Sequence, residues 1–380
     1  MKIGILTFCW TDHNYGQILQ CYALEKYLED AGHEAFIIDY DKRNDYEKDK
    51  VLAKLKQARN PNRLLHYIEK IIQLKRQNAK EANCNREFNE FKKTYLKYSE
   101  RKYFSFCELR ENPPYADIYI VGSDQVWNFL NSNLNKYENW INAYFLNFGD
   151  IKIKRMSYAA SFGNSKVVVD RKYSEVIRKL LCDFKYISVR EIEGIEICKS
   201  LGISNVHLDP DPTLLLSQEN YRQLYSQNGM KYYCECDKPF VFLYLVGNEC
   251  NFDFKIFMKW ASKRGLNIKY VADAIRYDKY EKIYPTIPEW LWLIDHSSYV
   301  LTNSFHGTVF SMIFNKKFLT IPLSGDCEGM NSRVKSLFRL FNIKERFLDG
   351  ENYEEIDKPY SYDVNSVFDR AGFSHIIDDI

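Results

Sequence analysis

The first forty residues set the strongest limit on the fold. An apolar run, "KIGILTF" (2–8), leads into a short polar loop carrying Gly16. Apolar residues at helical spacing follow (Ile18, Leu19, Tyr22, Leu28, Ala31), then Gly32 and a second apolar run, "EAFIIDY" (34–40). The spacing predicts a helix of about 15 residues that stops at Gly32. Strand, helix and strand in that order call for a parallel sheet with a right-handed crossover. Ligands of such sheets sit beyond the carboxyl ends of the strands, which is where the loop "TDHNYG" (11–16) falls. The helix N-terminus behind it presents unpaired N–H groups, and Gly16 has no side chain to block an approaching anion. A plain tight turn has the same pattern, so the loop alone leaves both readings open.

The rhythm recurs along the chain. "ADIYIVGSDQVWN" (116–128), "KRMSYAASFG" (154–163) and "DFKYISVRE" (183–191) each read as a strand running into a polar loop. "GIEICKSLGI" (194–203) reads as a helix and "NVHLDPDPTLLL" (205–216) as a strand ended by prolines. A second series opens with "KPFVFLYLVGN" (238–248) and continues through "YVLTNSFHG" (299–307) to "KFLTIP" (317–322). The expected fold is α/β: two Rossmann-like domains facing across a cleft, over 1–218 and 219–345, with a tail at 346–380 packing back on the first. The 380-residue length suits that division. Between Lys50 and Lys102 there are 15 Lys and Arg against 5 Asp and Glu, with apolar residues at helical spacing. That predicts a basic helical insertion at about 50–104. Its plain reading is a solvated face; its sharper one is contact with anionic lipid.

Composition removes several functions. A net charge of +2 gives no reason to expect nucleic acid, and no apolar stretch approaches membrane-spanning length. The start "MKIGILTFCW" lacks a small-residue cleavage site, so a cytoplasmic protein is expected. The ten cysteines are scattered. Cys234 and Cys236 form the one close pair and lack a second pair at zinc spacing, so thiols rather than a metal site are expected. No GxGxxG follows the first strand, and there is no GxxxxGK[ST], HExxH or GxSxG. No metal or cofactor is called for by these patterns, though stimulation by a divalent ion stays open.

His306, at a strand end that opens a helix, is the candidate for proton chemistry, against the reading of a packed histidine. Arg190 and Arg333 lie on or beside loops of the two halves and can fork onto phosphate or carboxylate; each alone reads equally as an ion-pair arginine. Ser123, Asp124, Gln125 and Trp127 are candidates for receiving sugar hydroxyls. Asp209 and Asp211, each before a proline, read as turn caps.

Taken together, "NYGQILQCYAL" (14–24), "IVGSDQVWN" (120–128), "SYAASFG" (157–163), "ISVREIEG" (187–194), "LDPDPTLLL" (208–216), "TNSFHGTVFSMIF" (302–314) and "NSRVKSLF" (331–338) resemble the polysaccharide pyruvyltransferase family. The resemblance implies a fold like that of GT-B glycosyltransferases. It also implies transfer of the pyruvyl group of phosphoenolpyruvate onto two hydroxyls of a sugar in a cell-surface polysaccharide precursor, with a ketal formed and phosphate released. His306 then matches the family's catalytic histidine and Arg190 a donor-holding arginine. Arg333, Asn14, Tyr15, Gly16, Ser304 and Gly307 complete the expected donor site. A lipid-linked acceptor would place the enzyme at the inner face of the membrane, met by the basic helices. Better-known members have Arg-Leu-His where this chain has Ser304-Phe305-His306. Either Arg333 or another cation compensates, or the donor or acceptor differs. A nucleotide-sugar glycosyltransferase and a non-catalytic sugar-binding module are the alternatives on the same architecture.

Overall fold

The computed structural model describes residues 1–41, 86–128, 138–163, 171–226, 238–276, 278–362 and 372–379. The first lobe is built on a five-stranded parallel sheet in the order β2-β1-β3-β4-β5. Its strands are β1 (Lys2–Leu6), β2 (Glu34–Ile37), β3 (Ile118–Val121), β4 (Lys154–Ser157) and β5 (Phe184–Tyr186). The helices around it are α1 (Tyr15–Asp30), α2 (Phe88–Tyr95), α3 (Phe106–Glu111), α4 (Glu138–Tyr144), α5 (Arg171–Cys182) and α6 (Ile192–Ser200). A two-stranded parallel ladder, β6 (Ser188–Val189) with β7 (His207–Leu208), continues beside it.

The second lobe has a four-stranded parallel sheet in the order β11-β10-β8-β9. It comprises β8 (Phe240–Leu245), β9 (Asn267–Ala272), β10 (Tyr299–Thr302) and β11 (Phe318–Thr320). Around it lie α7 (Gln218–Ser226), α8 (Phe254–Lys263), α9 (Ile287–His296), α10 (Phe305–Ile313) and α11 (Ser332–Leu340). The last helix, α12 (Gly372–Asp379), puts Phe373 against Tyr27, Tyr158 and Tyr186 of the first lobe.

Local chemistry explains the elements. Asn14 caps α1 by accepting from the Gln17 N–H, and Gly32, at φ +88°, turns the chain after it. Thr286 and Glu289 form a capping box at the start of α9. Every residue of β3 and of β8 is buried, as strands covered on both faces must be. The run "DFKYISVRE" is not one strand. Its first half pairs with β4 and its second with β7, because the β4–β5 register shifts at Arg155 and Met156. The expected strand at 205–216 is shorter too; Pro210 and Pro212 confine pairing to His207–Leu208 and turn the chain into a 3-10 helix at Pro212–Leu214.

Both sheets have a switch point where the winding reverses, β1/β3 in the first and β8/β10 in the second. The polar loops after these strands lie on one seam between the lobes. Each crevice is pinned across its strands: Thr7 donates to the Ser123 carbonyl at 2.6 Å, and Asn303 pairs with both the N–H and the carbonyl of Val246. The lobes also share a core. Tyr15, at the start of α1, stacks on Trp290 of α9 with centroids 5.0 Å apart, and its hydroxyl donates to the Pro285 carbonyl. The basic insertion expected at about 50–104 lies largely outside the described residues, as do Cys234 and Cys236. No described helix is long and apolar enough to cross a membrane.

Candidate functional site

Asp211 stands at the centre of the seam, fully buried. Its Oδ1 accepts from the N–H and the hydroxyl of Thr213, which is the turn cap expected of it. Its Oδ2 does more. It accepts from Arg190 Nη1 at 2.6 Å and from the Ser123 hydroxyl at 2.9 Å, and lies 3.4 Å from His306 Nε2. Burial by itself would push this carboxyl up, but His306, Arg190 and Thr213 hold it well below the usual carboxylate range. One carboxylate oxygen therefore ties the end of the β6 strand, the β3 loop and the second lobe's α10 together. Nothing in the spacing of the sequence announces that second oxygen; only the matching of "LDPDPTLLL" to a family segment drew notice to the stretch.

Arg190 keeps its other edge unspent. Its Nε and Nη2 are sealed from solvent with no hydrogen-bond partner, and Nε lies 4.0 Å from Glu191 Oε2, itself unpartnered. The other Glu191 oxygen accepts from the Ser161 hydroxyl and from the N–H groups of Phe162 and Gly163, which fastens the β4 loop to the site. The Arg190 guanidinium also stacks 4.3 Å from the Phe305 ring across the seam. Arg333, from the first turn of α11, sits 6.0 Å from the same ring, with its Nε donating to the Met330 carbonyl. Burial, and after it the nearby positive charge of Arg190, lowers the Arg333 guanidinium to about 10. Two guanidiniums thus flank one aromatic ring.

Gly16 answers the question its loop raised. A Cβ there would fall 2.1 Å from Cγ and Nδ1 of His306. The absent side chain lets the second lobe's imidazole pack directly against the first turn of α1. Ser304 caps α10 by accepting from the Gly307 N–H, while a Cβ on Gly307 would meet Thr302 Oγ1 at 2.4 Å. At each helix start the cap takes one N–H, Asn14 that of Gln17 and Ser304 that of Gly307.

Three expected contacts are placed elsewhere. Tyr15 is fully buried in the core between the lobes, so it does not face a donor. Trp127 is also fully buried, stacked on Phe145 with its N–H given to the Tyr144 carbonyl, so no face is left for an acceptor sugar. Ser123 is sealed between Asp211 and Arg190 and belongs to the ionic cluster rather than to an acceptor surface. Asp124, at φ +74°, accepts from Gln17 Nε2, and Gln125 accepts from Asn128 at 2.6 Å over Gly163. Among the described residues no three His, Cys, Asp or Glu side chains converge as a metal site requires.

Two Rossmann-like lobes with a polar, charged seam at their facing switch points define an enzyme of GT-B-like architecture. A solved structure agrees on the fold. The UDP-GlcNAc 2-epimerase of Methanocaldococcus jannaschii in complex with UDP-GlcNAc and UDP is 13% identical, with a TM-score of 0.52 covering 100% of this chain and 99% of that one. The Neisseria meningitidis UDP-GlcNAc 2-epimerase is also 13% identical, at a TM-score of 0.45 over 100% and 92% of the chains. At such identity the likeness extends to the fold alone. No curated protein matches the sequence. The family model for polysaccharide pyruvyl transferase matches residues 14–325, and the chain belongs to that family. It is accordingly a transferase of polysaccharide biosynthesis, acting on a sugar or polysaccharide acceptor.

Proposed function

We propose that the enzyme transfers the pyruvyl group of phosphoenolpyruvate to two hydroxyls of a sugar, forming a cyclic ketal and releasing phosphate. The observation that carries this is the meeting of Arg190 and His306 on Asp211 Oδ2, with Arg333 beside the Phe305 ring that Arg190 covers and with Arg190 Nε and Nη2 making no hydrogen bond. Sealed donors without partners are costly, and a fork of that shape matches a carboxylate or phosphate. A donor bearing both groups uses both arginines. The imidazole beside them supplies the proton that the enol carbon must gain before a hydroxyl attacks. Asp124 and Gln125 would then meet the acceptor. The excess of ten positive charges (15 against 5) between Lys50 and Lys102 favours a lipid-linked acceptor at the inner membrane face.

The test is direct. Purified protein with phosphoenolpyruvate and a panel of lipid-linked and nitrophenyl sugars should release phosphate and add a pyruvyl mass to one of them. Absence of turnover together with tight binding of UDP, GDP or CMP by calorimetry would replace this reading with a nucleotide-sugar donor.

A further inference from the structure

The two ring nitrogens of His306 stand in different surroundings. Nε2 is sealed from solvent, makes no closed hydrogen bond, and faces Asp211 Oδ2 at 3.4 Å. That oxygen is held by Arg190 and Ser123, and the other by Thr213, so the carboxylate cannot turn away. A carboxylate only accepts, so the ring hydrogen facing it sits on Nε2 whether the imidazole is neutral or charged. Nδ1 lies on the far side, over Gly16, and of the two nitrogens it is the one not sealed. Catalytic contacts are commonly long before a ligand tightens them, so a gap of 3.4 Å suits a resting site.

We propose that Nδ1 of His306 is the nitrogen that exchanges protons with the substrate, and that Asp211 is the positioning residue that reserves it by holding Nε2–H. The step rests on the enolpyruvyl reading of the donor. The proton on Nδ1 passes to the methylene carbon, whose double-bond pair forms the new C–H bond and leaves the adjacent carbon electron-poor. The first acceptor hydroxyl adds there, and its proton returns to Nδ1. Phosphate then departs with the C–O pair as the second hydroxyl closes the ketal, taking that hydroxyl's proton. Nε2–H stays on Asp211 throughout, so the histidine ends as it began.

The ring tautomer tests this without any donor. Full-length protein carrying ¹⁵N-labelled histidine has seven such rings, and the His306 signals are those lost in His306→Asn. The neutral ring should show a pyrrole-like shift at Nε2 and a pyridine-like shift at Nδ1. In Asp211→Ala no acceptor holds Nε2–H, so the single pyrrole-like shift at Nε2 should give way to a mixture of tautomers. kcat should then fall about 10²- to 10⁴-fold, as expected where the wrong tautomer is populated. A wild-type ring protonated on Nδ1 overturns the proposal, as does a mixed tautomer with unchanged kcat. If the variant does not fold, the wild-type spectrum decides alone. Because that spectrum needs no phosphoenolpyruvate, a failed donor assay leaves the assignment of nitrogens standing or falling by itself.

Discussion

Gly16→Ala is the sharpest single perturbation of this site. The added methyl would lie 2.1 Å from Cγ and Nδ1 of His306 and 2.5 Å from its Cβ. Ordinary carbon contacts are about 3.5–4.0 Å, so the ring must retreat by about 1.5 Å. The backbone at Gly16 is not left-handed, so alanine itself is tolerated there and the cost arises in the collision. Overpacking of this kind costs about 1–3 kcal/mol, partly offset by the ~1 kcal/mol alanine gains over glycine in a helix. A retreating imidazole loses Asp211, and a misplacement near 1 Å is worth about a hundredfold in turnover. The stability half needs no substrate. Thermal unfolding of Gly16→Ala, His306→Ala and the double variant forms a cycle, and the methyl should cease to destabilise once the ring is gone. A coupling of about 1 kcal/mol or more is expected; strictly additive effects would refute the close packing of the lobes at this point.

Three further outcomes follow from buried groups. Arg333→Met removes a desolvated cation beside Arg190; affinity for inorganic phosphate, read by calorimetry, should fall about tenfold or more while the melting temperature holds or rises. A loss of about 3 kcal/mol with unchanged anion affinity would make Arg333 purely structural. Burial pushes the Glu25 carboxyl from 4.5 up to about 8, with Oε2 sealed and unpartnered. Its native form is protonated, so its stabilisation is complete below 4.5 and is lost as pH rises through about 8, on the order of 5 kcal/mol in all. Glu25→Gln should flatten the fall in melting temperature across that window, and parallel curves would count against it. Trp127→Phe should cost about 1–3 kcal/mol through the lost ring and the orphaned Tyr144 carbonyl while leaving acceptor KM unchanged; a raised KM at full stability would restore Trp127 to the acceptor site.

The sequence carried the sheets well because period and punctuation are local: buried runs such as "IYIV" and "FVFLYL", the Gly32 stop and the prolines after Leu208 all act on near neighbours. His306 and Arg190 were readable as candidates by type and position and meet on Asp211; Arg333, read as on or beside a loop, lies in the first turn of α11 near the Phe305 ring. Their partners were not readable. Asp211 looks like a turn cap and is one; its second oxygen acts across 95 positions of chain on His306, which periodicity cannot register. Tyr15 and Trp127 erred in the other direction. Tyr15 was expected in the donor site and Trp127 at the acceptor, yet both fill the core under those loops, where large rings contribute most to packing.

The exchange of arginine for Ser304 becomes intelligible from the cap. Ser304 is half-buried at the N-cap of α10, accepting from Gly307, and a cap of this type is worth about 1 kcal/mol over a residue that cannot make it. An arginine at that position would forgo the cap and set a third guanidinium beside two that already share the Phe305 ring. Burial, and after it the charge of Arg190, already lowers the affinity of Arg333 for its proton with two. Asp211 and Glu191 balance those charges, but each does so with one oxygen, its other being committed to Thr213 or to the β4 loop. Arg333, in the first turn of α11, sets its guanidinium beside the ring that Arg190 covers without using the start of α10, so the Ser304 cap and the close seat of His306 on Gly16 both stand.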